Sequence, residues 1–376
     1  MLKGVTLQLY LGPLVPVPAP KVVMDALTEL SVTVNDVGAS GFQMSFTLDN
    51  RSPLHTLFLL AGGAPVPILR VVIVVIVSGT PHVLMDGVVT HQQILPGRDP
   101  GSSTLSITGD DLTVLMDKID FSGFPFPATP AEGRVALILL KYAFLGLIPL
   151  IIPSVLIDVP IPTTRIPAQK GTDLAYIKEL ADNVGYVFYL DPGPAPGTNV
   201  AYWGPQIKTG PVQKALNINM DVHTNVESLT FSFNNHQNGI PTVFYYEELT
   251  KAIIPIPIPP ITPLNPPLGL LPPIPTKLTP ASNDLAKRSI PQGVMIGLAK
   301  ASQWADAVTG KGELDVLRYG SVLKARQLVG VRGAGLAYDG LHYVKSVTHK
   351  IKAGEYKQSF ELSRNGLIST LSQVAA

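Results

Sequence analysis

LRYGSVLKARQLVGVRGAGLAYDGLHYVKSVTHKIKAGEYKQSFELSRNGL, residues 317–367, reads as β-strands joined by tight turns. Val322 to Val329 and Leu341 to Ile351 are rich in β-branched and apolar residues, and Tyr356 to Leu362 alternates in polarity, the period of a strand with two unlike faces. Gly312 to Leu317 adds a strand just before them. Asp339-Gly340 is a tight-turn dipeptide, and Lys352-Ala353-Gly354 reads as a three-residue hairpin connection. The Gly-rich stretch GVRGAGLAYDG (330–340) leads into another strand rather than a helix, so it serves loop geometry and not a phosphate cradle. Strict alternation puts His342 and His349 on opposite faces of one strand, where they cannot share an ion.

The N-terminal third repeats this character. Strands are expected at Ser31 to Val34, Gln43 to Asp49, Val66 to Val77, Val88 to Ile94 and Ser103 to Thr108. Asp110 or Asp111 caps a short helix from Leu112 to Ile119, with Leu112, Leu115, Met116 and Ile119 as its apolar stripe. FSGFPFPATPAEG (121–133) marks a junction, followed by a helix over Arg134 to Leu147. A second helix starts at the N-cap Thr172, buries Leu174, Ile177, Leu180 and Ala181, and ends at Gly185. Strands at Tyr186 to Leu190, Asn199 to Trp203, Ala215 to Ile218 and Glu227 to Phe233 follow. The stretch TKAIIPIPIPPITPLNPPLGLLPPIPTKLTP (250–280) has too many prolines for a helix or an interior strand. It is expected to be polyproline-II or irregular, lying against something because it is apolar. A helix near Gly293 to Val308 resumes order. The fold class expected is mainly β with α+β parts, in three domains: 1–125, 126–225, and 226–376 with a Pro-rich insertion at 250–282.

Hydrophobic residues make up 46% of the 376 and charged residues only 15%, against roughly 25% charged in ordinary soluble proteins. Such a chain hides surface in cores or against partners. Tyr142 to Ile157 is the longest apolar segment. It is shorter than the ~20 residues of a membrane-spanning helix and holds Pro149 and Pro153, so it reads as buried or partner-covered. Pro13, Pro16 and Pro18 break the apolar start, which is read as a mature N-terminus without a signal peptide. The net charge of +1 and scattered Lys and Arg argue against nucleic-acid binding. No cysteine is present, which removes disulfides, Cys-based metal sites and thiol nucleophiles. His91, His223 and His236 lack metal-site spacing, and Asp110-Asp111 and Glu247-Glu248 are adjacent pairs whose carboxylates diverge. No G-x-S-x-G elbow and no phosphate-loop lysine occurs. No catalytic, metal or cofactor site is expected.

Four stretches resemble the late-control protein D family of phage tail hubs, and the hub part of VgrG-like proteins of extracellular contractile injection systems. They are SITGDDLTVLMDKID (106–120), PAQKGTDLAYIKELADNVGYVFYL (167–190), NVESLTFSF (225–233) and residues 317–367 with their SFELSRNGL ending. The resemblance implies two tube-like β-barrel domains flanking a mixed α/β region, and a homotrimer forming a pseudo-sixfold ring between a hexameric inner tube and a trimeric spike. Implied partners are a second and third copy, the inner tube protein, a separate spike protein and other baseplate proteins, within an assembled virion or injection particle. Tyr343, Lys345, Val347, Lys350, Tyr356 and Phe360 are the candidate tube-docking residues of the C-terminal hairpin. Ile254, Ile256, Ile258, Leu268 and Leu270 are the candidate partner-binding residues of the Pro-rich arm. A tail-associated cell-wall-degrading enzyme and a membrane-associated β-rich protein are the competing readings.

Overall fold

The structure is a computed structural model. It describes residues 4–13, 15–48, 52, 54, 58, 68–97, 103–154, 160, 162–163, 166–234, 240–247, 251–258, 266–272, 278–280 and 290–370. The first part contains β1 (Val5–Gly12), β2 (Val17–Pro18), α1 (Lys21–Ala26), β3 (Leu27–Asn35), β4 (Gly41–Leu48), β5 (Arg70–Val77), β6 (Thr80–Leu95) and β7 (Ser103–Asp111). The middle part holds α2 (Thr113–Met116), α3 (Ala131–Leu140), β8 (Leu147–Ile151), α4 (Asp173–Asp182), β9 (Val187–Pro192) and β10 (Asn199–Gly204). The last part begins with β11 (Val212–Asn217), β12 (Ser228–Phe233), β13 (Ile240–Glu247), β14 (Ala252–Pro257), β15 (Gly269–Leu271) and β16 (Leu278–Pro280). It continues with α5 (Ile290–Trp304), β17 (Val308–Asp315), α6 (Val316–Tyr319), β18 (Leu328–Arg332), β19 (Gly340–Lys352), β20 (Glu355–Arg364) and β21 (Leu367–Ser369).

The two strand-rich ends of the chain are one architecture built twice. The first unit has the order β1-β5-β6-β7-β4-β3 and the last has β11-β18-β19-β20-β17-β12. Every neighbouring pair is antiparallel in both units except β11–β18, which is parallel. The two units even share a bulge. It falls between Val89 and His91 in β6, and between Val344 and Ser346 in β19. An extra residue on one strand bends it and frees its far end from one neighbour. Past the bulge, β19 leaves β18 and pairs with β3, so both units join into a single open thirteen-stranded sheet. One hydrophobic core runs under both, from Leu30, Phe42 and Ile73 to Val347, Phe360 and Leu362.

The bulge at Lys345 also corrects the reading of the two histidines. The extra residue shifts the parity of everything beyond it. His342 and Val344 therefore share a face with Val347, His349 and Ile351, opposite Leu362, Phe360, Gln358 and Tyr356. Both rings are buried. His349 Nδ1 shares hydrogen bonds with Tyr356 Oη (2.8 Å) and Gln358 Nε2 (3.3 Å). Desolvation pushes both imidazoles down to about 3, assisted by Arg364 near His342 and His82 near His349. The unfolded chain binds these protons below 6.5 and the folded chain does not until about pH 3. Stability is therefore complete above pH 6.5 and falls as pH drops through that window, by about 2 kcal/mol per histidine at pH 5. Denaturant titrations at pH 7.5 and pH 5 check this. His342→Asn with His349→Asn should shrink the difference between them, and an unchanged difference contradicts the assignment.

Several expected limits move. The hairpin connection is two residues long, because Lys352 pairs with Glu355 and Gly354 takes the positive φ of 85°. Residues 322–327 are not strand, since side-chain amides replace the ladder. Gln358 accepts from Leu323 N (3.0 Å) and donates to Leu323 O (2.8 Å), and Gln213 accepts from Lys324 N (2.8 Å). Likewise the strand expected over 312–317 gives way at Val316 to α6, capped by Asp315. The helix at 112–119 stops at Met116, which leaves Ile119 exposed. The helix at 134–147 runs over Ala131–Leu140, and Leu147–Ile151 is strand β8 instead. Pro149 forces the residue before it into extended backbone, which suits a strand and not a helix. The Pro-rich stretch likewise contains strand. β14 pairs with β13 from Ala252 to Pro257 and, among the described residues, has no partner strand on its other side. Pro255 and Pro257 lie two apart, so their missing N–H groups fall on one side, as an edge strand permits. Residues 155–157, 235–239 (with His236), 248–250 (with Glu248), 259–265, 273–277 and 281–289 lie outside the described residues.

Candidate assembly surfaces

In the middle part, α4 is placed by its ends and one stripe. Thr172 Oγ1 accepts from Ala175 N (3.2 Å), and Tyr176, Ile177, Leu180 and Ala181 are buried. The Asp173 carboxylate takes Lys141 (3.0 Å), Tyr142 (2.9 Å) and Gln169 (2.8 Å), tying α4 to the end of α3. The strands β8-β10-β9 complete this layer around Trp203.

Buried charges join the parts. Arg70 of β5 grips Asp86 of β6 through Nε (2.7 Å) and Nη2 (2.6 Å). It also donates to the carbonyls of Leu145 (2.8 Å) and Gly197 (3.0 Å), and Asn199 donates to Asp86 (2.7 Å). The first unit is thereby bonded to β10 and to the turn before β8. Arg326 bridges the last unit to the other two. It donates to Asn35 O (2.6 Å), pairs with Asp191 (2.9 Å) and lies over the Tyr189 ring at 3.9 Å. Among the described residues, no three His, Asp or Glu cluster where a metal could be held.

The SFELSRNGL ending is placed residue by residue. Phe360 and Leu362 enter the core. Arg364 is buried and donates to Gly366 O (2.7 Å), Asp339 O (2.8 Å) and Ala337 O, stitching the strand to the 333–339 loop. Asn365 Oδ1 accepts from Leu268 N (2.9 Å) and Gly269 N (3.1 Å). Gly366 then passes so close to Gly269 that a Cβ on Gly269 would sit 2.4 Å from the Gly366 carbonyl. No other residue fits that approach.

The candidate hairpin residues divide by this packing. Tyr343, Val347, Tyr356 and Phe360 are buried within the chain, Lys345 is half-buried at the bulge, and Lys350 is exposed beside Glu313 (3.7 Å). The arm residues divide too. Ile258 packs with Val243 and Ala301, and Leu268 packs with Leu328, Leu341 and Tyr343, while Ile256 is half-buried. Ile254 and Leu270 remain exposed, at 43% and 60%, together with Ile253 and Leu271. Further exposed apolar residues, Leu137 and Leu140 on α3, Phe144 in the turn after it and Ile148 and Leu150 on β8, lie within or beside the segment flagged at 142–157. Among the described residues, no helix is long and apolar enough to cross a membrane.

This fold is shared with phage tail proteins and with VgrG-type proteins of secretion machines. The tail protein of Neisseria meningitidis MC58 superposes with a TM-score of 0.60 at 13% identity, over 97% of this chain and 98% of that one. The 43 kDa tail protein of prophage MuSo2 from Shewanella oneidensis gives 0.60 at 12%, over 96% and 98%. A chain of the Francisella PdpA–VgrG complex gives 0.60 at 11%, covering all of this chain and 60% of that one. No family model matches the sequence, and no curated protein does.

Proposed function

We propose that the chain is the structural hub of a phage tail or contractile injection machine, acting as a trimer between a hexameric inner tube and a trimeric spike. The observation that carries this reading is the doubled six-stranded unit. Three copies of a chain with two equivalent units present six equivalent units, which meet a sixfold ring on one side while the trimer keeps threefold symmetry on the other. The strand-rich units are 1–125 and 226–376, the latter joined by β11 (Val212–Asn217) from the middle part 126–225 that they flank, and each forms a tube-like barrel wall in the ring. The role is non-enzymatic, and the partners are the inner tube protein, a separate spike protein and other baseplate proteins.

Lys350 offers the hairpin's exposed contact to the tube. Ile254 and Leu270 offer apolar area to a baseplate partner, worth on the order of 25 cal/mol per Å² buried. Incorporation into particles tests this division. Lys350→Glu should lower tube attachment, and Ile254→Ser with Leu270→Ser should lower baseplate incorporation, each with unchanged thermal stability. Full incorporation of both variants would remove these surfaces from the account.

A further inference from the structure

The junction inside one chain is a template for a junction between chains. In the first unit, β3 is the outer strand, and its free edge takes the part of β19 beyond the bulge, from Ser346 to Lys352. The equivalent of β3 in the last unit is β12. Its outer edge carries no partner strand among the described residues. Ser228–Phe233 (SLTFSF) contains neither a charge nor a proline, so nothing guards that edge against pairing. The equivalent of β19 is β6. Its pairing with β5 ends at Val88, and Val89 N–H makes a last bond to Leu69 O (3.0 Å). Among the described residues, His91–Leu95 beyond the bulge pairs with β7 on one side only. Ile94 and Leu95 are 39% and 51% exposed there. One chain thus carries both halves of a second junction, and they lie in different units.

We propose that β12 of one copy pairs antiparallel with His91–Leu95 of the next copy, repeating the β3–β19 junction around the ring. This rests on the trimer reading above. The register follows from the repeat. Val32 in β3 and Phe231 in β12 hold the same place, opposite Phe42 and Gly310, which pair in turn with Gly109 and Leu362 just before each bulge. Val32 faces His349, the fourth residue after the bulge gap, counting Ser346 as the first. Counting His91 as the first in β6, Phe231 faces Ile94, Ser232 faces Gln93 and Phe233 faces Gln92. The half-buried Phe231 then covers Ile94, an aromatic–aliphatic cross-strand pair of the kind that stabilises sheets. The interface joins two different surfaces head to tail, the kind that closes into rings.

The chain has no cysteine, so paired cysteines report the register without background. Ser232 and Gln93 are both exposed, which makes Ser232→Cys with Gln93→Cys a mild change. Mild oxidation of this double variant should give covalent dimers and trimers on a non-reducing gel. Mixing copies carrying only S232C with copies carrying only Q93C should give dimers alone. The neighbouring pair Phe231→Cys with Ile94→Cys should behave alike, and the off-register pair Ser228→Cys with Gln93→Cys should stay uncrosslinked. A trimer by light scattering in which neither in-register pair crosslinks overturns the junction and leaves the hub reading standing. A monomer overturns both.

Discussion

Arg70→Ala is expected to destabilise the chain by about 3–5 kcal/mol, the usual cost of breaking one side of a buried ion pair. Arg70 and Asp86 are 3% and 2% exposed, and they meet through two short bonds. Removing the guanidinium leaves the Asp86 carboxylate facing the Asn199 amide, and it takes a donor from Leu145 O and Gly197 O. A buried charge without its counter-charge is far costlier than no charge at all. Arg70→Met with Asp86→Leu should therefore recover much of the loss, although Asn199 then lacks its acceptor. Urea midpoints of the two single variants and the double variant check this. If the double variant falls as far as the sum of the singles, the two groups act independently and the account of this joint is wrong.

Val347→Pro should abolish folding rather than docking alone. Val347 is fully buried and stands opposite both Val34 of β3 and Phe360 of β20. A proline there removes a ladder donor in a strand with neighbours on both sides, at a cost of about 3 kcal/mol or more, and it empties a core position. The lost bond also lies at the seam that joins the two units. Near-UV circular dichroism of the purified variant should show no native tertiary signal. A folded variant melting within a few degrees of the parent would contradict the placement of β19 at the seam.

The C-terminal hairpin was legible because its alternation and its Gly354 connection are local signals. Asp339-Gly340 is not the tight turn expected: the turn falls at Gly335–Tyr338, inside a loop from 333 to 339, and Gly340 opens β19. Thr172 as an N-cap and the stripe on α4 were legible for the same reason. The doubling of the six-stranded unit was not, since the two units share strand order and not residues. LTELSVTVN in β3 and SLTFSF in β12 share only the alternation of any half-buried strand, which does not mark them as equivalents. Nor does β3 signal that its neighbour is β19, some three hundred residues on. Neither bulge has a sequence signature, because an inserted residue is silent in a run of mixed polarity, yet each one reverses the faces beyond it. The candidate hairpin residues lie on strands that the chain itself covers on both faces. Alternation cannot tell a face covered by the chain's own arm, as Tyr343 is by Leu268, from one left for a partner. Proline density in turn suggested an arm without strand, whereas the spacing of Pro255 and Pro257 is the feature that allows an edge strand.

The central claim is that the doubled unit exists to make six from three. The mass of the purified chain in solution tests it most directly, by light scattering across a wide range of protein concentration. The account predicts a particle of three times the chain mass, without detergent. A monodisperse monomer that persists at the highest concentration would contradict it.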